Sequence, residues 1–281
     1  MLGSELLLRV PAGIEAVGTD LRMDAPVAAP GVDLADTAAV LRLFDAHGPF
    51  DGVIHGAAFT AVDLAEECEG DARRANEDAC RVLAENCARA RIPIVVVSTD
   101  FVFDGSGTRP YREDDPPRPL SAYGRTKLAG ELAARAAHPG GARIVRTQWL
   151  YGPRGKHFPG TILNLAKDRS ELKVVHDQIG SPTSTLELAP ALWDVLLRGE
   201  AGVYHAACEG QASWFELACA TLELSGVRHV KVLPCSTEEF PRPAVRPRYS
   251  VLDCSRLTKL RGRALAPWRT ALETFLRSQA S

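Results

Sequence analysis

The sequence has no apolar run that approaches membrane length, and no charged-then-apolar leader at its start. A transmembrane span and a secretory signal peptide are therefore not expected, and the cytoplasm is the default location. It also lacks a charge surplus. Lys and Arg number 33 against 35 Asp and Glu, a formal net charge of -2. Nothing in that balance invites nucleic acid or an anionic membrane as partner. Seven cysteines are present, but none forms a C-x-x-C pair, and no H-x-x-x-H pair exists among the seven histidines. No metal site is predicted. Cys80 and Cys87 fall two helical turns apart on one apolar face, as small buried hydrophobes of a reducing compartment do. Repeats and low-complexity tracts are absent. What remains is an ordinary globular composition, 46% hydrophobic and 24% charged over 281 residues. That length suits one large α/β domain, or a domain with a smaller lobe.

Short apolar runs alternate with longer helical patterns. Residues 14–19, 51–55, 93–98 and 142–147 read as strands, and 36–47, 71–91 and 121–138 carry apolar residues at helical spacing. This alternation predicts a parallel sheet with helices on both faces, built by right-handed crossovers into a doubly wound Rossmann-like domain over residues 1–150. After residue 150 the rhythm changes. Strands are expected at 172–176 and 201–206, and helices at 184–199, 213–225 and 267–278. Prolines 234, 241, 243 and 247 argue for an extended, irregular stretch. Residues 151–281 are read as mainly a smaller lobe, interleaved with the first domain.

The chemistry centres on Tyr123-Gly124-Arg125-Thr126-Lys127. Four residues apart on a helix, the phenol and the ammonium share a face. A carbonyl that accepts a hydride needs a proton on its developing alkoxide. A phenol can give it if a nearby ammonium draws its pKa down from about 10. The bare spacing fits a solvated helix face equally well. Its context is more telling. The apolar strand 93–98 leads into Thr99-Asp100, and function in open α/β sheets gathers at the carboxyl ends of strands. There Thr99 could donate to a substrate carbonyl oxygen; a turn and helix cap is the plainer reading. The second strand end, Ala57-Ala58-Phe59-Thr60, has small residues against which a flat cofactor can lie, or against which a helix can pack. Asp33-Leu34 stands where an adenine contact or a cap for the helix 36–47 would fall.

Together these segments resemble a known family. Ser98-Thr99-Asp100-Phe101-Val102-Phe103-Asp104-Gly105, Ala122 to Glu131, Ala57 to Asp63, Arg146 to Gly152, Val174 to Thr183 and Arg246 to Leu252 resemble, in order, the dTDP-4-dehydrorhamnose reductase family of the extended short-chain dehydrogenases. The resemblance spans nearly the whole chain. It implies NADPH or NADH as cofactor, a dTDP-sugar as substrate, and reduction of its C4 keto group. It implies that Tyr123 donates the proton, that Lys127 partners it and holds the nicotinamide ribose, and that Thr99 and Asp100 contact the sugar. It places Leu2, Gly3, Asp33, Leu34, Ala57, Ala58, Phe59 and Thr60 on the cofactor, and Trp149, Gln178 and Arg246 on the substrate. A homodimer is compatible with it.

The chain departs from the family's pattern in several places. Phe101 stands where the family often has Tyr, and Lys156-His157-Phe158 where it often has Asn. Gly3 matches the third glycine of the phosphate-binding turn, while the preceding strand and two glycines have no counterpart. The loops 104–107 and 139–141 are glycine-rich but bridge no strand to a helix. The expectation is that Met1 is an internal methionine. Asp20 suits NAD and Arg22 suits a 2′-phosphate, so cofactor preference stays open. A related sugar-nucleotide reductase or epimerase, a regulatory subunit of the methionine adenosyltransferase type, and a chain inactive for want of the phosphate turn remain alternatives.

Overall fold

A computed structural model describes residues 1–280. The chain opens with α1 (Leu2–Leu8), β1 (Thr19–Asp20) and β2 (Ala29–Pro30). Next come α2 (Thr37–His47), β3 (Val53–His55), α3 (Glu69–Arg73), a π-helical turn at Arg74–Asp78, and α4 (Ala79–Ala90). They are followed by β4 (Ile94–Thr99), α5 (Ala122–Ala137) and β5 (Ala142–Thr147). The main sheet is parallel, in the order β10-β5-β4-β3, with β10 at Gly202–His205. Its central strand shows why. Ile94 to Val97 are all apolar and buried, because helices cover both faces. Ile94 and Val96 join α2, α4 and α5 in one core. Val95 and Val97 join α1, α7 (Thr185–Arg198) and α9 (Ser255–Arg261) in the other. The doubly wound α/β class expected from the sequence is what the chain adopts.

One strand departs from expectation. Of residues 14–19 only Thr19 is in a strand, and with Asp20 it pairs to Ala29–Pro30 rather than to the main sheet. Among the described residues β3 bonds only to β4, and Val53 and Ile54 on that edge are only half-buried. A strand persists where its backbone groups find ladder partners, so the predicted six residues shrink to two.

The second half is divided. α7 and β10 build onto the first sheet, β10 pairing with β5 from Gly202↔Arg143 to His205↔Arg146. The other elements are β6 (Leu150–Tyr151), α6 (Phe158–Leu165), β7 (Glu171–Val175), β8 (Ile179–Gly180) and β9 (Thr183–Ser184). After β10 follow β11 (Ala212–Ser213), α8 (Trp214–Leu224), β12 (Lys231–Cys235) and α10 (Trp268–Ala280). The β7–β12 ribbon packs under α6 and α8 around Ile162, Leu172, Val174, Ala218 and Leu222. Capping is chemically ordinary. Ser121 starts α5 by accepting from the Gly124 N–H at 3.2 Å, and Ser213 and Glu216 form a reciprocal capping box on α8.

Candidate active site

β4 and β5 end side by side at Thr99 and Thr147, and β3 stops at His55, opposite Val96, so the segments after these strands leave the same edge of the sheet. α5 crosses above them at close range. A Cβ on Gly124 would lie 2.3 Å from the Phe101 carbonyl oxygen, and one on Gly130 would lie 2.0 Å from that of Asn76. Glycine at both positions lets the helix bring Tyr123 and Lys127 down onto the strand ends.

Tyr123 is half-buried, edge-on to Phe101 with ring centroids 5.6 Å apart. Burial pushes its phenol up to about 12; the Asp100 charge adds to this and the Thr99 hydroxyl opposes it. Lys127 is buried, and its Nζ donates to the Val97 carbonyl at 2.8 Å. This corrects the expectation that the ammonium lowers the phenol's pKa here. The amine is turned to the backbone, and desolvation governs both groups. Burial draws Lys127 down, against the charges of Cys80 and Glu131. Glu131, one turn further along α5, accepts from Ser98 Oγ at 2.5 Å and from Arg146 Nη2 at 2.7 Å. That ion pair is almost wholly buried and held by several hydrogen bonds through Arg146 Nε and Nη2, while Nη1 has no partner.

Thr99 is buried, and its hydroxyl donates to Asp100 Oδ1 at 3.0 Å while accepting from the Phe101 N–H at 3.2 Å. Asp100 is 1% exposed, and its Oδ2 has no partner. Its carboxyl presents no open surface in this arrangement.

Gly56, Ala57 and Thr60 are exposed, and Ala58 and Phe59 partly so. The turn is held from beneath. Asn76 Oδ1 accepts from the Phe59 N–H at 2.9 Å, and its Nδ2 donates to the Phe59 carbonyl at 3.3 Å and to Thr126 Oγ1 at 3.1 Å. Asn76 sits in the π-helical turn, a distortion that often marks functional sites. Leu2 is buried with α1 against α7 and approaches Gly56, whereas Gly3 is exposed, with open space where a Cβ would stand. Asp33 is occupied: it accepts from the Ala35 N–H at 2.9 Å and pairs with Arg74 at 2.5 Å, interactions that hold its carboxyl below the usual range. The cap of α2 is Asp36, not Asp33. Leu34 packs on the α2–α4 core.

On the lobe side Trp149 adopts φ 48° and stacks on Trp214, ring centroids 3.6 Å apart and planes at 7°. Gln178 is buried, accepting from Trp214 Nε1 at 3.1 Å and donating to Thr237 Oγ1 at 3.1 Å. Arg246 is already paired: Nη1 and Nη2 each reach an Asp63 oxygen at 3.0 Å. It thus ties the proline-rich segment to the turn after β3. Tyr123, Lys127, Thr99, Asp100 and the 57–60 turn are gathered at the strand ends, with Trp149 following β5. Asp33 and Arg246 are committed to protein partners. Sequence reasoning missed Asn76, Trp214, Gln148 and Ser250. No spacing signal marks them, because each acts through a partner distant in the chain.

The sequence profile described as the RmlD substrate binding domain matches residues 1–281. The chain belongs to that family. It is 43% identical over 263 residues to a dTDP-4-dehydrorhamnose reductase of Streptomyces griseus, covering 90% of this chain and 86% of that protein. A crystal structure of a dTDP-4-dehydrorhamnose reductase from Clostridium acetobutylicum superposes with a TM-score of 0.92 at 39% identity, covering all of this chain and 96% of the other. That of the Bacillus anthracis enzyme in complex with NADP gives 0.90 at 33% identity, over 99% and 95% of the two chains. Among the described residues no helix is long and apolar enough to cross a membrane, and no group of three potential metal ligands occurs.

Proposed function

We propose that this chain reduces the C4 keto group of dTDP-4-dehydro-L-rhamnose to give dTDP-L-rhamnose, with NADPH or NADH as reductant. The observation that carries the reading is the placing of Tyr123, Thr99 and Lys127 together above the ends of β3 and β4, in a chain 43% identical to a reductase of that name.

The residues present fit a nicotinamide cofactor. The 57–60 turn is exposed, lined by small side chains, and fixed by Asn76 through both backbone groups of Phe59. Lys127 spends one N–H on Val97, leaving two donors for ribose hydroxyls. When bound, the reduced nicotinamide supplies the hydride. Tyr123 gives its phenolic proton to the oxygen that becomes the C4 hydroxyl. Thr99 orients that oxygen, and Lys127, anchored on the Val97 carbonyl, holds the ribose beside it. Ala57 to Thr60 hold the cofactor's face, with Leu2 beneath Gly56. Trp149, backed by Trp214, offers an aromatic wall for the substrate, and Gln178 fixes that wall from behind. The dinucleotide belongs to the sheet domain of residues 1–150, and the sugar nucleotide to the lobe within 151–281. α7 and β10, although later in sequence, support the former.

The test is oxidation of NADPH or NADH by the purified full chain. It is expected only when dTDP-4-dehydro-L-rhamnose is added, and Tyr123→Phe should lower kcat by at least about 100-fold. Undiminished turnover by that variant, or oxidation with an unrelated dTDP-keto sugar alone, overturns the assignment.

A further inference from the structure

We propose that Asp100 is a positioning residue that decides where the Thr99 hydroxyl points: ionised, it captures the Thr99 proton; protonated, it releases that proton toward the substrate's keto oxygen. This rests on the reductase reading above and assigns a role to a carboxyl that touches no open surface.

The geometry leaves Thr99 few choices. One lone pair of its Oγ1 is engaged by the Phe101 N–H at 3.2 Å, and its hydrogen goes to Asp100 Oδ1 at 3.0 Å. A hydroxyl has one proton to give. While Asp100 is a carboxylate, that proton is spent within the protein and cannot polarise a carbonyl in front of Tyr123. Protonated Asp100 becomes the donor, Thr99 Oγ1 the acceptor, and the Thr99 hydrogen is free to rotate toward the cleft. No bond other than the carboxyl O–H is made or broken.

The surroundings favour the protonated form. Asp100 is 1% exposed, and its second oxygen is buried without a partner. The other nearby hydroxyl, on Ser250, has two competing acceptors, Gln148 Oε1 at 3.3 Å and the Asp100 carboxyl. Gln148 Oε1 also accepts from the Ser181 N–H at 3.0 Å, so the glutamine is locked with its carbonyl toward these donors. The charged and titratable groups facing the pair are accounted for. Lys127 on α5 is bonded to Val97, and Arg146 on β5 is bonded to Glu131. Tyr123 lies across Thr99, its phenol held near 12. Burial raises the Asp100 carboxyl to about 6, opposed by the Ser250 and Thr99 hydroxyls. His55 and His205, at the ends of β3 and β10, are held neutral by burial, at about 3. Glu113, bonded to the His205 N–H at the end of β10, is also raised by burial, but it does not touch Thr99.

The test is kcat of keto reduction at saturating substrate from pH 5 to 9. The wild type should fall about tenfold between pH 6 and 8, as the carboxylate form takes over. In Asp100→Asn the amide always donates to Thr99, so the descending limb should vanish and kcat at pH 8 should exceed the wild type's several-fold. Asp100→Ala, without a donor, should run about tenfold below the wild type at pH 6. A limb that persists in Asp100→Asn with the same midpoint, or an Asn variant as poor as the Ala variant, overturns the proposal. A second readout needs no turnover. The carbon-13 carboxyl titration of Asp100 should move to higher pH in Thr99→Val, which removes its donor; an unmoved midpoint also overturns it. Failure of the wild type to reduce the sugar would count against the substrate reading, while the titration still decides the Thr99–Asp100 coupling.

Discussion

Asn76 grips the backbone of Phe59 from both sides, accepting its N–H at 2.9 Å and donating to its carbonyl at 3.3 Å. The same amide reaches Thr126 Oγ1 at 3.1 Å, and Thr126 Oγ1 donates to the Tyr123 carbonyl at 3.0 Å. One buried side chain therefore spaces the proposed cofactor turn from the helix that carries the proton donor. Asn76→Ala would strand the Phe59 N–H and carbonyl and should cost about 2 kcal/mol of stability. It should also raise KM for the nicotinamide several-fold, because the turn loses its support. Urea denaturation and a cofactor titration measure the two effects. Asn76→Asp, which keeps the acceptor and loses the donor, should fall between.

Arg246 and Asp63 make two parallel hydrogen bonds, each 3.0 Å, between residues 183 positions apart in the chain. The Asp63 carboxyl is held below its usual range, chiefly by the hydrogen bond from Arg246. The pair is only partly buried, so a double-mutant cycle with Arg246→Gln and Asp63→Asn should give a coupling of about 1 kcal/mol. A strap of this kind predicts that both single variants raise KM for the sugar nucleotide by similar factors. A large effect from Arg246→Gln with none from Asp63→Asn would make the arginine a direct substrate ligand instead.

Stability should depend on pH through three buried groups. His55 and His205 are held neutral, their pKa values lowered by burial from 6.5 to about 3. The unfolded chain protonates them below 6.5 and the fold does not, so stability is full above that pH and falls as pH drops toward 3. Asp100 works in the opposite sense. Its carboxyl rises from 3.8 to about 6, so its contribution is present below 3.8 and lost as pH increases through 6. Between pH 4 and 6 two groups oppose one, and unfolding free energy should still decline with acid. His55→Asn should flatten that slope by about 1.4 kcal/mol per pH unit, measured by urea midpoints at stepped pH.

Much of this was legible in the chain itself. Helical spacing put Tyr123 and Lys127 on one face, the apolar run at 94–97 marked a strand buried on both sides, and Thr99 followed at its carboxyl end. These are local properties, set by periodicities of 3.6 and 2 and by burial, so the sequence by itself determined the α/β class and the elements that carry the site. What only the tertiary structure decided is which partner each polar group has. Lys127 turns to Val97, Asp33 to Arg74, Arg246 to Asp63, and Asn76 to Phe59. It also decided that residues 14–18 form no strand, and that β10, beyond residue 200, completes the first sheet. The physical reason is common to all of these. A hydrogen bond or ladder between residues far apart in sequence leaves no periodic trace. It is fixed only when packing has excluded water and every buried donor must find an acceptor.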